Sequence, residues 1–114
     1  MATNNPSATK NHLKIGIIGL GGVAQAHLQA YALLDNITIV SVCDVRADVA
    51  KTVAEKYQAQ AYSDHCQLLA AGGIDLALVL TPASTHREIV EAVAQQGIHV
   101  FCEKPIAVTL KDAD

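Results

Sequence analysis

The stretch Lys14-Ile-Gly-Ile-Ile-Gly-Leu-Gly-Gly-Val-Ala24 decides the fold of this 114-residue chain. An apolar run, predicted as a strand, ends at Gly19, and a helical pattern begins within the next few residues. Gly19 permits a tight turn, Gly21 keeps a Cβ away from any group that approaches the backbone, and Ala24 allows close packing of helix on strand. This order is typical of a turn that holds a phosphate on the free N–H groups of a helix N-terminus.

Asp44 lies at the end of the second apolar run, twenty residues after Ala24. A carboxylate there accepts hydrogen bonds from both hydroxyls of a ribose and repels a 2′-phosphate, so the pattern predicts a dinucleotide site that prefers NAD over NADP. A structural alternative is that Asp44 caps the next helix. Arg46 is a further candidate cofactor residue, because its guanidinium could stack on adenine or bind a 2′-phosphate. NADP therefore stays open as the less favoured cofactor.

Strand and helix patterns alternate along the chain, which predicts a parallel sheet with right-handed crossovers and helices on both faces. The predicted fold class is α/β: a Rossmann-type, doubly wound, three-layer α/β/α sheet of order 3-2-1-4-5-6, truncated after the fifth strand. We predict strands near 13–19, 37–43, 59–62, 75–80 and 98–102, and helices near 22–34, 46–57, 64–71 and 85–96. Expected helix caps are Ser63 or Asp64 for the third helix and Ser84 or Thr85 for the fourth.

The composition narrows the class of protein. Hydrophobic residues make up 51% of the chain and aromatic residues 4%, which suits a buried parallel sheet. A net charge of -3 and the lack of a basic run argue against nucleic acid, and no run is long enough to cross a membrane. Three cysteines without a C-x-x-C pair predict reduced thiols in a cytoplasmic protein, and the scattered histidines predict no metal site.

The two ends of the chain carry their own predictions. Residues 1–11 are polar and are expected to form a disordered tail rather than a signal peptide. Thr109 and Asp112 begin a helix that stops after about one turn at Asp114. We therefore expect residues 12–114 to be an NAD(P)-binding domain, a fragment of a longer protein whose C-terminal substrate domain is absent from this chain.

Two further segments stand at predicted strand ends. Leu80-Thr-Pro-Ala-Ser-Thr-His86 follows the fourth strand, and Phe101-Cys-Glu-Lys-Pro105 follows the fifth. Because the carboxyl ends of parallel strands meet at one edge, both segments are expected to line the same crevice as Gly19. Turn and cap chemistry alone would also explain Thr81 and His86.

Lys104 and Glu103 are the candidates for chemistry in that crevice. A lysine there can donate to a substrate oxygen or to the nicotinamide carboxamide, while the glutamate orients it. A surface ion pair before a turn proline is the structural alternative. Their position at the end of a strand favours the functional interpretation.

The glycine turn, the acid, Thr81-Pro82 with His86, and Glu103-Lys104-Pro105 appear in this order at strand ends, and together they resemble the Gfo/Idh/MocA family over residues 12–114. The resemblance implies the N-terminal nucleotide-binding domain of an NAD(P)-dependent oxidoreductase. Such an enzyme transfers a hydride between nicotinamide and a sugar, polyol or related hydroxy compound. It further implies that Lys104 is catalytic beside the nicotinamide and that the bond before Pro105 is often cis.

The resemblance also implies the cofactor contacts and the state of the complete protein. The implied contacts are Gly19, Gly21, Gly22 and Val23 to the pyrophosphate, Asp44 to the ribose, and Thr81, Pro82, His86, Glu103 and Lys104 to the nicotinamide side. The proton-transferring residues belong to the family's C-terminal domain, so the chain alone is expected to be inactive. The full-length protein is expected to be a homo-oligomer with a small-molecule substrate and no membrane or nucleic-acid partner.

Two other interpretations remain. A non-catalytic relative could use the same domain to sense NAD and signal to a partner, and the pair Glu103 and Lys104 favours an enzyme over this alternative. A sugar-nucleotide or S-adenosylmethionine enzyme on a similar fold is disfavoured by the Glu103-Lys104-Pro105 segment.

Overall fold

Strands and helices alternate along residues 12–102, which are the residues that the computed structural model describes. The strands are β1 (Leu13–Ile18), β2 (Ile37–Cys43), β3 (Gln60–Tyr62), β4 (Leu76–Val79) and β5 (His99–Cys102), and the helices are α1 (Gly22–Ala32), α2 (Ala47–Tyr57), α3 (His65–Ala71) and α4 (Ala83–Gln95). All strand pairs are parallel, in the order β3-β2-β1-β4-β5. The predicted α/β class and the order of the first five strands are confirmed.

Each face of the sheet carries its own apolar core, because consecutive strand residues point to opposite faces. In β1, Ile15 and Ile17 pack with residues of α1 and α2, whereas Ile18 packs with residues of α3 and α4. In β4, Leu78 belongs to the core under α1 and α2, and Val79 belongs to the core under α3 and α4. Helices therefore cover both faces, which confirms the three-layer arrangement and explains why the strands are nearly continuous apolar runs.

The ends of the helices are where the sequence predictions were least accurate. Asp64 caps α3 as predicted, since its Oδ1 accepts the Cys66 N–H at 2.7 Å. The cap prediction for α4 was wrong: the helix begins directly after Pro82, which is its N-cap, so neither Ser84 nor Thr85 caps it. Proline fits this position because the N–H groups at the start of a helix have no partner within the helix.

Several predicted features lie outside the described residues. These are the tail over 1–11, the segment Glu103-Lys104-Pro105 with its cis bond, and the helix that begins at Thr109. Within residues 12–102, none of the helices combines the length and apolar character needed to cross a membrane.

Candidate functional site

Backbone hydrogen bonds join the ends of β1, β2 and β4 at the carboxyl edge of the sheet. The Gly19 N–H donates to the Cys43 carbonyl at 2.8 Å, and the Leu80 N–H donates to the Ile18 carbonyl at 2.8 Å. Gly19 has a φ of 101°, which L side chains rarely adopt. A Cβ at this position would lie 2.8 Å from the carbonyl carbon of Leu80 and 2.9 Å from the amide nitrogen of Thr81. Glycine is therefore required by the turn and by the close approach of β4.

The N-terminus of α1 faces open space. Gly21 is the N-cap, no side chain caps this end, and the first turn holds no acidic residue. A Cβ built on Gly21 or on Gly22 would meet no atom of residues 12–102 within 4 Å. The first N–H groups of a helix lack intrahelical partners and form its partially positive end, so they attract an anion. The two glycines leave an approach to these N–H groups that side chains would fill.

The carboxylate of Asp44 is buried beside this turn, with 7% of the residue exposed. Its Oδ2 accepts the Leu20 N–H at 2.9 Å, and its Oδ1 accepts the Arg46 N–H at 2.9 Å. The Arg46 guanidinium binds the same carboxylate in a bidentate pair, with Nε 2.9 Å from Oδ1 and Nη2 3.0 Å from Oδ2. The Asp44 N–H donates to the Tyr62 carbonyl at 3.1 Å, so Asp44 links the ends of three strands.

These contacts correct one sequence alternative and add a residue that the sequence analysis missed. The N-cap of α2 is Arg46, and no side chain caps the helix, so the capping alternative for Asp44 is wrong. Leu20 holds the acidic side chain through its backbone N–H. No sequence signal could have revealed this contact, because any residue type supplies the same N–H.

The Arg46 guanidinium, together with the N–H groups of Arg46 and Leu20, lowers the pKa of the Asp44 carboxyl to about 2, against the opposing effect of burial. The same interaction raises the pKa of Arg46. Both groups are therefore charged at neutral pH. An ionised carboxylate at this position can accept hydrogen bonds from ribose hydroxyls, and it repels a 2′-phosphate in the place of one of them.

Lowering the pH is expected to reduce the free energy of unfolding, because the Asp44 carboxylate becomes protonated. Its folded pKa of about 2 lies below the unfolded value of about 3.9, so the stabilisation is complete above about pH 4 and is lost as pH falls through about 2. The exposed Arg46 partner is screened by solvent, which limits the effect to about 1 kcal/mol or less. Urea unfolding of wild type and Asp44→Asn between pH 5 and pH 2 measures it, and the variant should lose less stability over this range. If wild type and Asp44→Asn lose the same free energy of unfolding between pH 5 and pH 2, the ion pair is contradicted.

The segment after β4 passes beside the glycine turn. Thr81 is half-buried, and its Oγ1 is a buried hydroxyl without a hydrogen-bond partner among the described residues. Buried hydroxyls are nearly always bonded, so this one marks a polar position that a ligand could satisfy. Pro82 is exposed, and His86 is half-buried in the first turn of α4.

The end of β5 reaches the same edge. Leu78 pairs with Phe101 and Val79 with Cys102, so β4 and β5 end level with each other. Glu103 and Lys104 follow Cys102 directly in sequence, and both lie outside the described residues. The strands therefore end at one edge of the sheet, as predicted. The positions of Glu103 and Lys104 at this edge stay a prediction.

A second cluster of ionisable groups lies after β3. Asp64, His65 and Cys66 each bring one possible metal-ligating atom within 4.8 Å of the others, although the sequence analysis predicted no such group. The Asp64 carboxylate already caps α3. Nearby, burial and then the carboxylates of Asp64 and Asp44 raise the pKa of the Cys43 thiol to about 12, so this buried free cysteine stays protonated at neutral pH.

An open cavity of about 740 Å³ lies at the opposite, amino edge of the sheet. Lys14 and Asp75 are among its lining residues. The Asp75 carboxylate accepts the Lys14 N–H at 2.9 Å and so joins β1 to the segment that precedes β4. This cavity is separated from the glycine turn by the length of the strands.

The residues at the carboxyl edge fit a dinucleotide. An open helix N-terminus suits a pyrophosphate, and the buried Asp44 carboxylate, which accepts the Leu20 N–H, suits a ribose. The Thr81 hydroxyl, which has no partner within residues 12–102, lies beside the glycine turn. Together with the strand order, these features define a Rossmann-type nucleotide-binding domain. The family model described as an oxidoreductase family with an NAD-binding Rossmann fold, Gfo/Idh/MocA, matches residues 13–114. The chain belongs to this family, as the sequence resemblance indicated.

Individual relatives support the same assignment. The chain is 36% identical to the myo-inositol 2-dehydrogenase of Thermotoga maritima over 103 residues, which cover 90% of this chain and 31% of the relative. It superposes with a TM-score of 0.80 and 29% identity on the WlbA dehydrogenase of Bordetella pertussis in complex with NADH and UDP-GlcNAcA, covering 89% of this chain and 32% of that one. It superposes with a TM-score of 0.78 and 27% identity on KijD10, a 3-ketoreductase of Actinomadura kijaniata in complex with TDP-benzene and NADP, covering 83% and 30%. The chain thus spans about a third of the length of these relatives.

Proposed function

We propose that this chain binds NAD at the carboxyl edge of its sheet and forms the nucleotide-binding part of a dehydrogenase. The observation that carries the proposal is the buried Asp44 carboxylate beside the open N-terminus of α1. In this arrangement the pyrophosphate lies on the helix N–H groups, and the ribose hydroxyls donate to Asp44. The two features are neighbours, because the Leu20 N–H, one residue before the N-cap Gly21, donates to the Asp44 carboxylate.

The remaining predicted residues complete the proposed site. Gly19, Gly21, Gly22 and Val23 surround the pyrophosphate, and Thr81, Pro82, His86, Glu103 and Lys104 lie on the nicotinamide side. Two observations within the described part of the chain support this assignment: the open space at Gly21 and Gly22, and the Thr81 hydroxyl without a hydrogen-bond partner. For Glu103 and Lys104 the support is their place in sequence directly after β5.

The proposed reaction of the whole protein moves a hydride between the nicotinamide and one carbon of a sugar or polyol. In oxidation the hydroxyl-bearing carbon gives its hydride to NAD+ while a base of the proposed C-terminal domain takes the hydroxyl proton, which leaves a carbonyl group. In reduction the carbonyl carbon receives the hydride and its oxygen receives the proton. NAD accepts or donates the hydride, and the chain binds NAD and holds it in one orientation. Lys104 hydrogen-bonds the reacting oxygen of the substrate in this scheme. The myo-inositol relative and the relative bound to UDP-GlcNAcA support this substrate class.

Further parts of the proposal concern the complete protein. We propose a C-terminal substrate domain, because the matched relatives are about three times as long as the chain. A cytoplasmic location is supported by the free thiols of Cys43 and Cys66. We also propose that the complete protein is a homo-oligomer with no membrane partner. The net charge of -3 and the lack of a basic run in the sequence support the proposal that it has no nucleic-acid partner.

A calorimetric titration of the purified chain with NADH tests the cofactor site. Asp44→Ala removes the acceptor of two charge-assisted hydrogen bonds, so the Kd should rise about 10- to 100-fold. Asp48→Ala is the matched control, because Asp48 is an exposed carboxylate in the first turn of α2, and its Kd should stay within about twofold of wild type. Circular dichroism checks that both variants fold. The proposal fails if wild type does not bind NADH or if the two variants bind alike.

A further inference from the structure

Every acceptor position of the Asp44 carboxylate is occupied by the protein itself. A carboxylate offers about four lone-pair sites. The N–H groups of Leu20 and Arg46 take two of them, and Nε and Nη2 of Arg46 take the other two. A ribose that is to donate its hydroxyl groups to Asp44 must therefore displace a donor that is already present.

Arg46 supplies the only pair of donors among these four that can leave without unfolding the turn. The Leu20 and Arg46 N–H groups belong to the backbone between the strands and their helices, and Leu20 is 3% exposed. The Arg46 side chain, in contrast, is 55% exposed, and its pair with Asp44 faces solvent on one side. A bidentate pair is stronger than most exposed ion pairs, but the exposed guanidinium can rotate into solvent without disturbing the backbone of the turn.

We infer that Arg46 competes with the nucleotide ribose for Asp44 and leaves the carboxylate when the nucleotide binds, so that Arg46 sets the ratio of NAD to NADP affinity. This inference rests on the proposed function, because it concerns the same carboxylate and the same ribose. It adds a specificity-determining residue and a direction for its effect.

The direction follows from what each cofactor offers the displaced guanidinium. With NAD, the ribose hydroxyls replace the guanidinium on Asp44, and the arginine gains no new anion. With NADP, a 2′-phosphate stands at the place of a ribose hydroxyl, and a guanidinium binds phosphate in a bidentate manner. Arg46 therefore weakens NAD binding by competition and strengthens NADP binding by attraction. Asp44 acts in the opposite sense, so discrimination between the two cofactors is smaller than Asp44 alone would produce.

Titration of four chains with NAD+ and with NADP+ tests the inference: wild type, Arg46→Ala, Arg46→Lys and Arg87→Ala. Arg46→Ala removes the competitor and the phosphate partner together, so NAD+ should bind about 2- to 5-fold more tightly and NADP+ about 10-fold more weakly. Arg46→Lys keeps the positive charge but loses the two parallel N–H donors of the guanidinium. The Kd for NAD+ should therefore fall as well, while the Kd for NADP+ stays within about threefold of wild type.

Arg87→Ala is the matched control. Arg87 is also an exposed arginine in an ion pair, with Glu91 at 3.2 Å on α4, and it is not part of the site. Both Kd values should stay within about twofold of wild type. The inference is overturned if Arg46→Ala weakens both cofactors equally, as stacking on adenine would predict, or if it leaves the ratio unchanged.

A measurement without nucleotide separates this inference from the proposed function. The pKa of Asp44, followed by NMR, should rise in Arg46→Ala and stay low in Arg87→Ala, because the guanidinium is the largest cause of its lowering. An Asp44 pKa that does not move in Arg46→Ala refutes the ion pair and with it the competition. If the chains bind nucleotide but Arg46→Ala leaves the ratio of the NAD+ and NADP+ Kd values unchanged, this inference alone is refuted. If the wild-type chain binds no nucleotide, the proposed function is refuted as well.

Discussion

Gly19→Ala is expected to destabilise this chain by at least about 3 kcal/mol. An alanine at a φ of 101° is strained by about 1–3 kcal/mol. Its Cβ would also stand 2.8 Å from the Leu80 carbonyl carbon and 2.9 Å from the Thr81 amide nitrogen. These are backbone atoms at the end of a central strand, so they cannot move aside as the tip of a side chain could. Urea unfolding followed by circular dichroism measures the loss.

Gly21→Ala is the matched control for this prediction, because it adds the same methyl group two residues away. Gly21 has a φ of -77°, and its Cβ would meet no atom within 4 Å. The stability should stay within about 1 kcal/mol of wild type, which is the range for replacing glycine by alanine at an N-cap. Equal stability losses in the two variants would show that the close approach of β4 to the turn is not what excludes a side chain at Gly19.

Leu28→Ala is expected to lower the free energy of unfolding by about 2–5 kcal/mol. Leu28 is 0% exposed in α1 and packs against the sheet together with Ile17 and Leu78. Truncation removes apolar contacts and leaves a cavity, since close-packed neighbours collapse only in part. The same urea unfolding experiment measures this loss.

Leu33→Ala is the control for Leu28→Ala, since it removes the same atoms at the end of the same helix. Leu33 is the C-cap of α1 and is 83% exposed, so the change should stay within about 0.5 kcal/mol. A loss at Leu33 comparable to that at Leu28 would mean that α1 is rotated on the sheet relative to the described packing.

Much of the fold could be predicted because its signals are local. Strands buried on both faces appear as apolar runs, such as the one that ends at Ile18, and each is followed by a helical pattern. The right-handed crossover rule then leaves few possible strand orders, and the observed one is among them. Asp44 was identifiable as a candidate site residue since it stands at a strand end at a typical distance from the glycine turn.

Other features could not be predicted, because they depend on contacts between distant residues. Alanine and leucine make up seven of the thirteen residues over 22–34, so the sequence does not show that Leu28 is buried and Leu33 exposed. The start of α4 directly after Pro82 was missed, since two good capping residues follow Pro82 in sequence. Such choices between similar local alternatives are settled by the packing of the helix against the sheet.

The sequence by itself determined three features: the alternation of strands and helices, the glycine turn, and the acidic residue at the end of the second strand. Each of them depends on residues that lie close together in the chain. Only the tertiary structure decided what the acid contacts. It brings the Leu20 N–H and the Arg46 guanidinium to one buried carboxylate and sets the end of β4 against Gly19. The physical reason is that backbone donors carry no side-chain signature, and the rotamer of a long side chain is selected only by the folded surroundings.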